Sequence, residues 1–365
     1  MMIAPAPQVP PHCPNPGCKY HERNDGWRWV RDGFFDRLAV PHRIQRFRCR
    51  DCGRRFSAQT FHVTYWLRRP GLVVPVFQGL VACAGLRQLA RSFHASPQTI
   101  QLHANRLGRH CLLFHERTRP RGAALEPVAL DGFISFEYSQ FHPTAYHVLV
   151  GARTHYAYGF TVSELRRSGR MTASQRRMRE RLEALHGRPS PRAVEHDVAR
   201  LLRIALPARQ SLELWTDEHT DYPRALRRCD HLAVAHRTVS SRAARTPRNP
   251  LFAVNLLDLL IRHSGANHKR ETIAYAKRRQ MAIHRLWVFL TWRNWCKWFS
   301  ENRHEDTPAM RAGLTDHRLD PIEILKQRLF VTHTRLPDAW KQQYWGQVPT
   351  RLIPNARSHR LRYAT

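Results

Sequence analysis

Residues 127–138 read "PVALDGFISFEY", an apolar run of strand-forming residues interrupted by a single aspartate, Asp131. Apolar residues on both sides of it predict a strand buried in the protein core. An unpaired charge in such a strand is costly unless it binds a cation, which favours a functional role for Asp131. The alternative interpretation places Asp131 in a turn before Gly132.

The pattern around this run predicts a sheet built from both hairpins and helical crossovers. Strand patterns follow at "TAYHVLVGART" (144–154) and "YAYGFTVSEL" (156–165), and an arginine-rich helical segment spans 163–209. Next come a strand, a helix, a strand and a helix: "SLELWTDEHTDY", "YPRALRRC", "HLAVAHRTVSS" and "NPLFAVNLLDLLIRH". Three strands, helix, strand, helix, strand, helix is the order of a ribonuclease H-like α/β domain.

The helix pattern at 249–263 carries polar residues on one face of an otherwise apolar helix. Asparagine followed by proline gives it a regular helix start. Asn255, Asp258 and Arg262 stack along one face, while leucine and isoleucine crowd the rest. One interpretation is an Asp258–Arg262 ion pair on a solvated stripe. The other is that Asp258 belongs to a site in the protein interior.

Asp217 stands at the end of the fourth strand pattern. It fits an N-cap of the following helix, and it also fits a carboxylate placed beside the first strand. Its neighbours Glu218 and Asp221 are predicted to face solvent. Asp131, Asp217 and Asp258 follow one another on strand, strand and helix, and this order favours a shared site over three unrelated roles.

The first sixty residues contain two closely spaced cysteine pairs, Cys13-x4-Cys18 and Cys49-x2-Cys52. Such pairs predict a tetrahedral zinc site in which each pair forms one knuckle and the hairpin between them brings the knuckles together. In so small a unit the metal replaces a missing core. His12 and His21 lie nearby and are alternative ligands, although the four-sulfur set is preferred.

Composition restricts the class of partner. Lysine and arginine number 60 against 28 acids, a net charge of +32, with an isoelectric point near 11.2. Such an excess predicts a polyanionic partner, nucleic acid first. The N-terminus "MMIAPAPQVP" lacks a secretory signal, and no apolar run is long enough to span a bilayer, so a soluble intracellular protein is expected.

A helix-turn-helix pattern lies between the cysteine region and the strands. "GLRQLARSF" (85–93) is followed by the turn "HAS" and a long helix pattern with Ser96 as N-cap and proline after it. A plain three-helix connector has the same pattern. In a DNA-binding unit the residues facing the major groove would be Gln98, Thr99, Gln101 and His103.

Four motifs together resemble the DDE transposases of bacterial insertion sequences that carry an amino-terminal zinc ribbon. They are "CPNPGC…RFRCRDCGRRFS", "LDGF", "WTDEHTDYPRAL" and "VNLLDLLIRH". The resemblance covers roughly residues 10–300 and implies that Asp131, Asp217 and Asp258 are catalytic and bind Mg²⁺ or Mn²⁺. The third family acid is usually a glutamate three residues after an asparagine, whereas here Asn255 is followed by Asp258. Glu271 is the competing third acid.

The resemblance also implies what the protein does. The ribbon and helix-turn-helix would bind the terminal repeats of an insertion sequence, and the carboxylates would cut and join DNA strands by in-line displacement at phosphorus. Lys269 and Arg270, with His268, would grip the DNA backbone near the site. A homo-oligomer in the bacterial cytoplasm, associated with the nucleoid and not with a membrane, is expected. A non-enzymatic DNA-binding regulator and a ribonuclease H-like nuclease are the alternatives.

The sequence thus predicts a multidomain α+β protein. The expected units are a zinc ribbon (1–60), a helix-turn-helix domain (61–120), a catalytic α/β domain (121–285, with 163–209 as a helical insertion) and a helical C-terminal region with a basic tail (286–365). The last region opens with "LWVFLTWRNWCKWFS", whose tryptophans predict packed core or an oligomer contact rather than base stacking.

Overall fold

The computed structural model describes residues 9–120, 126–206, 211–230, 232–269 and 272–350. Within them the protein is mixed α+β, with a small antiparallel sheet in its N-terminal part and a larger mixed sheet flanked by helices. Arg270, Glu271 and the basic tail at 351–365 lie outside the described residues. No helix among those described is long and apolar enough to cross a membrane.

The N-terminal sheet is the predicted hairpin with one added strand. It runs in the order β1 (Trp29–Asp36), β2 (Arg43–Cys49) and β3 (Arg55–Ser57), all antiparallel. Its small core contains Phe47, Phe56 and Phe61 together with Phe330 from the C-terminal part of the chain. The ribbon is therefore packed against a segment almost three hundred residues away in sequence.

Three helices follow, namely α1 (Val73–Val81), α2 (Leu86–Ser92) and α3 (Pro97–Thr118). The predicted start of α3 is confirmed, because the Ser96 hydroxyl accepts a hydrogen bond from the Thr99 backbone N–H at 3.1 Å and Pro97 follows it. The N-terminal turns of α3 are largely exposed, whereas its C-terminal half is buried. A short turn joins α2 to α3, and α3 extends far into the core, while the assignment of the pair as a DNA-binding helix-turn-helix stays a prediction.

The larger sheet has five strands in the order β6-β5-β4-β7-β8. These strands are β4 (Val128–Glu137), β5 (Ser139–Gly151), β6 (Ala157–Glu164), β7 (Leu212–Thr216) and β8 (Val234–Thr238). β4, β5 and β6 pair antiparallel, while β7 pairs parallel with both β4 and β8. All five strand predictions are confirmed, and β4 lies at the centre of the sheet.

The helices between and after these strands cover the sheet. They are α4 (Ala173–His186), α5 (Ala193–Ala205), α6 (Asp221–Arg227) and α7 (Phe252–Ser264). α5 buries one face against β5 and β6 and contacts α6, whereas α4 has no buried residue. Only α4 therefore fits an insertion, and α5 is the crossover between the antiparallel and parallel halves of the sheet.

The C-terminal part is built on one long buried helix, α8 (Arg279–Trp295), followed by the short helices α9 (Pro308–Arg311), α10 (Pro321–Leu325) and α11 (Asp338–Trp345). α8 packs on α1 and α3, and Trp287 and Trp295 lie in the core. A single cluster of buried apolar side chains runs from Val63 to Tyr344. The domain boundaries drawn at 61, 121 and 286 stay predictions, since one continuous core crosses the last two.

Candidate catalytic site and metal centre

The four predicted cysteine ligands converge beside the N-terminal sheet. Their sulfur atoms all lie within 4.8 Å of one another, with Cys13 and Cys52 at 3.6 Å and Cys18 and Cys49 at 3.9 Å. Zinc–sulfur bonds of about 2.3 Å place the sulfurs of a tetrahedral site about 3.8 Å apart. The four cysteines therefore fit one Zn²⁺ ion.

Hydrogen bonds lower the pKa of one of these thiols, which favours the thiolate that binds a metal. Burial raises the pKa of Cys49, but the backbone N–H of Cys52 and the indole N–H of Trp27, 3.3 Å from the Cys49 sulfur, lower it to about 7. Burial raises the pKa of Cys13 and of Cys18. Metal binding requires thiolates, and the positive charge of a bound cation would stabilise the negative charge on these buried sulfurs. His12 and His21, the alternative ligands, lie instead against His333.

We expect Cys52→Ser to remove the four-thiolate metal site, because serine is a poor ligand for a soft site. Co²⁺ loaded in place of zinc gives strong sulfur-to-metal charge-transfer absorption when four thiolates bind it. That absorption should fall sharply in Cys52→Ser, whose side chain is exposed, and stay unchanged in the control Cys83→Ser. Equal spectra for wild type and Cys52→Ser would contradict the assignment.

Asp131 lies on the central strand, and the sheet register places Asp217 next to it. β4 and β7 pair in parallel with Ala129 opposite Trp215. Two residues further along both strands, Asp131 and Asp217 occupy neighbouring positions, the second of them just after the end of β7. The glycine after Asp131 is required by close packing, because a Cβ atom at Gly132 would lie 2.8 Å from Nδ1 of His147.

Asp258 reaches the same region from α7, which packs on β4 and β5. Its Oδ1 atom is buried and has no hydrogen-bond partner among the described residues. Arg262, its candidate ion-pair partner, donates to the backbone oxygens of His268 at 3.2 Å and Ile134 at 3.4 Å. The structure therefore places a carboxylate oxygen in the interior without a hydrogen bond, and not on a solvated stripe.

The three aspartates act on one another electrostatically. Burial and then the charge of Asp217 raise the pKa of Asp131 to about 6. Burial and then the charge of Asp131 raise the pKa of Asp258 well above its usual value. Asp131 and Asp258 therefore lie in surroundings that favour protonation or a bound cation, and Asp217 is close enough to act on Asp131.

Two clusters of potential metal ligands are tight enough to share one ion. Among the described residues, the groups of three or more potential ligands within 4.8 Å are the four cysteines and the histidines His12, His21 and His333. The aspartates do not form so tight a group.

Two further residues belong to this environment. Tyr222 donates a hydrogen bond to Asp131, and burial followed by the charges of Asp131, Asp217 and Asp258 raises the pKa of Tyr222. Arg245, on the loop between β8 and α7, lowers the pKa of both Asp131 and Asp258. Sequence reasoning missed Arg245, because nothing in a loop with several arginines distinguishes one of them.

The predicted DNA-contacting residues divide into two groups. Gln98 and Gln101 are exposed at the start of α3, and Thr99 is half-buried. His103 is only 2% exposed, and its ring nitrogens lie 2.8 and 2.9 Å from the carbonyl oxygens of Thr99 and Arg69. The expectation for His103 is wrong, because its ring ties α3 to the preceding loop instead of facing solvent.

The segment after α7 shows a similar division. Lys269 is exposed, so it remains available for a phosphate contact. His268 is 2% exposed and packs edge-on against Phe133 and Tyr146. The expectation that His268 grips DNA is wrong, since its ring is enclosed by the sheet. Arg270 and Glu271 lie outside the described residues.

The raised pKa of Asp131 predicts a pH-dependent stability. A carboxyl whose pKa is higher in the folded than in the unfolded protein stabilises the fold when protonated, and this stabilisation is lost as the pH rises through about 6. Without divalent cations, Asp131→Asn should therefore gain about 1–2 kcal/mol over wild type at pH 7.5 and little at pH 4.5. Urea unfolding at both pH values measures this. The exposed neighbour Glu218→Gln is the control, and an equal gain at both pH values would contradict the prediction.

Comparison with known proteins yields no family. No protein-family model and no curated protein matches the chain. Among solved structures, the chain matches one in the cryo-EM structure of the simian T-cell lymphotropic virus intasome in complex with PP2A regulatory subunit B56 gamma. The identity is 17%, over 68% of this chain and 74% of that chain, with a TM-score of 0.26. A TM-score this low carries no inference about function, which must come from the residues themselves.

Proposed function

We propose that this protein is a DNA transposase that cuts and joins DNA strands at a carboxylate site in a ribonuclease H-like domain. The observation that carries the proposal is the shared environment of Asp131, Asp217 and Asp258, contributed by β4, the end of β7 and α7. The strand order β6-β5-β4-β7-β8, three antiparallel strands followed by two parallel ones, is the arrangement expected for a ribonuclease H-like sheet.

The aspartates suit Mg²⁺ or Mn²⁺. The Oδ1 atom of Asp258 is buried without a hydrogen bond, and burial and mutual repulsion raise the pKa values of Asp131 and Asp258. Carboxylate oxygens are the ligands that these hard cations prefer. When bound, two such ions would activate the attacking oxygen and stabilise the leaving oxygen in a displacement at phosphorus.

The surrounding residues would orient the carboxylates and the substrate. The Tyr222 hydroxyl would donate to Asp131 and help to orient its carboxylate. Arg245 is exposed and lies within electrostatic reach of Asp131 and Asp258, so its guanidinium would bind a DNA phosphate entering the site. Lys269 would make a further backbone contact nearby.

Recognition of DNA would lie with the ribbon and the helix-turn-helix. Gln98, Thr99 and Gln101 occupy the exposed first turn of α3, the part of a recognition helix that meets base edges in the major groove. The net charge of +32 supplies affinity for phosphate that does not depend on sequence. Bringing two ends of one DNA element together requires at least two copies of the chain, so a homo-oligomer is part of the proposal.

The test is strand cleavage by the purified full chain on duplexes taken from the DNA that flanks its gene on both sides. We expect cleavage and joining with Mg²⁺ or Mn²⁺, none with chelator, and none by Asp131→Asn, which should still bind the duplex. Binding without cleavage by wild type would overturn the proposal in favour of a regulator. Cleavage without joining would overturn it in favour of a nuclease.

A further inference from the structure

Three histidines from distant parts of the sequence meet beside the ribbon. His12 and His21 flank the first cysteine pair, and His333 comes from a short 3₁₀ helix between α10 and α11. One potential ligand atom from each lies within 4.8 Å of the others. This cluster is separate from the four sulfurs and has no part in the proposed chemistry at the aspartates.

The hydrogen bonds of two of these rings are those of metal-binding histidines. Nδ1 of His21 lies 2.7 Å and Nδ1 of His12 lies 3.1 Å from the same acceptor, the carbonyl oxygen of Cys13. A histidine that binds a metal through one ring nitrogen typically donates from the other to a backbone carbonyl, which fixes its tautomer and orientation. With both Nδ1 atoms donating to Cys13, both Nε2 atoms are left as acceptors.

The surroundings of the rings resemble the shell of a metal site. Phe61 and Phe330 pack edge-on or tilted against His12, and Phe330 also packs against His21. His12 and His21 are 8% and 3% exposed, whereas His333 is exposed. Two ligands are therefore held by an apolar wall, and the third closes the side that faces solvent.

Two changes from the present ring geometry would be needed to bind a metal ion. Nitrogen ligands of a tetrahedral zinc ion lie about 3.4 Å apart. The His12 and His333 rings are stacked at 3.7 Å with their planes 18° apart, so their nitrogens do not yet converge on one point. The His21 ring stands nearly perpendicular to both. To bind an ion, His333, which is exposed, would rotate to bring its nitrogen toward the other two, and the Thr332 hydroxyl, 2.7 Å from Nε2 of His21, would give way.

We propose that His12, His21 and His333 bind a second zinc ion, which fastens the C-terminal segment at 330–334 to the ribbon. Three neutral imidazoles suit Zn²⁺, and water completes the tetrahedron on the exposed side. The ion joins two parts of the chain that also meet through Phe330 and the ribbon phenylalanines, through the Thr332–His21 hydrogen bond and through Arg328, which donates to the backbone oxygen of Val9. It therefore links the orientation of the ribbon to the C-terminal region.

The experiment counts zinc in the purified full chain by native mass spectrometry and elemental analysis. Wild type should carry two zinc ions per chain, and His333→Ala should carry one, with an affinity for the second ion at least about 10–100-fold weaker. His196→Ala, an exposed histidine on α5, is the matched control and should keep two. Asp258→Asn should also keep two zinc ions, because the aspartates do not belong to this site. A failure of the zinc proposal can therefore be distinguished from a failure of the transposase proposal.

A second measurement guards against indirect effects of the substitution. In Co²⁺-loaded protein, His333→Ala should lose one cobalt ion while the sulfur-to-cobalt absorption of the four-cysteine site stays unchanged, which also shows that the ribbon remains folded. One zinc ion in wild type, or two retained in His333→Ala, would overturn the proposal and leave the histidines as packing residues.

Discussion

Asp258→Asn should abolish strand cleavage and joining while leaving DNA binding within about twofold of wild type. The substitution keeps the shape of the side chain but removes one of the three charges available to hold the metal ions. Metal ions stabilise the transition state by several kcal/mol, and each 1.36 kcal/mol is tenfold in rate, so the loss should be about 10²–10³-fold or more. Binding should persist, because the proposed recognition surfaces are the ribbon and the exposed start of α3.

The structure supplies the reason to expect that this variant folds. Oδ1 of Asp258 has no hydrogen-bond partner in the described part of the chain, and burial and the Asp131 charge raise the pKa of Asp258. Asparagine has the same size and is also uncharged in this buried position, so the variant is expected to fold, and its DNA binding checks that it does. A surface partner of Arg262 would behave differently, since Asp258→Asn would then leave cleavage intact and cost well under about 1 kcal/mol.

Two further variants test which residue is the third catalytic acid. Glu218→Gln, next to Asp217 and exposed, removes a carboxylate near the site and should cleave as wild type does. Glu271→Gln tests the competing acid. Normal cleavage by Asp258→Asn together with none by Glu271→Gln would transfer the third role to Glu271.

The strands and the cysteine site could be predicted because their signals are local. An apolar run such as 127–138 is expected to be buried, and apolar or alternating patterns of this kind predicted the five strands of the larger sheet, although β8 is largely exposed. Two cysteine pairs at short spacing must converge if they bind one metal, and their sulfurs do. The same reasoning singles out Asp131, since a charge inside a buried strand requires compensation, whereas Asp217 and Asp258 were chosen by their order on the following strand and helix and by the family resemblance, and their role stays a prediction.

What the sequence could not predict depends on contacts between distant segments. Helical spacing placed His103 on the same stretch as Gln98, but only the fold shows that the loop at Arg69 covers it. In the same way, the sheet encloses His268. The partner of His12 and His21 lies more than three hundred residues away, at His333, and no local pattern connects them.

The helical segment at 163–209 also could not be divided into its two helices from the sequence. Residues 163–209 are rich in arginine throughout, so composition does not separate α4, which has no buried residue, from α5, which packs on the sheet. α5 has a distinct apolar face built around Val198, Leu201 and Leu202. The helical periodicity of these apolar residues could have identified α5 as a buried helix, but the many arginines of the segment obscured it.

Arg279→Met should destabilise the protein by about 3–5 kcal/mol, because it removes the cation that pairs with the buried carboxylate of Glu137 and the half-buried carboxylate of Glu164. The Arg279 side chain, only 7% exposed, lies 2.9 Å from Glu137 and also pairs with Glu164, and the Arg279 backbone N–H donates to Glu137 at 2.6 Å. Burial lowers the pKa of Arg279, but the combined effect of the two carboxylates is larger, so the pKa is raised overall. Urea unfolding at neutral pH measures the loss.

The double variant Arg279→Met/Glu137→Gln separates an uncompensated charge from a loss of packing. If the cost is electrostatic, the double variant recovers part of the stability, because one of the stranded charges is gone. Arg237→Met, which breaks the largely exposed Arg237–Glu213 pair between β8 and β7, should cost less than about 1 kcal/mol. Equal losses for Arg279→Met and Arg237→Met would contradict the prediction. Because Glu137 ends the strand that carries Asp131, this buried network also anchors the start of α8 to the sheet, so its loss should lower activity as well as stability.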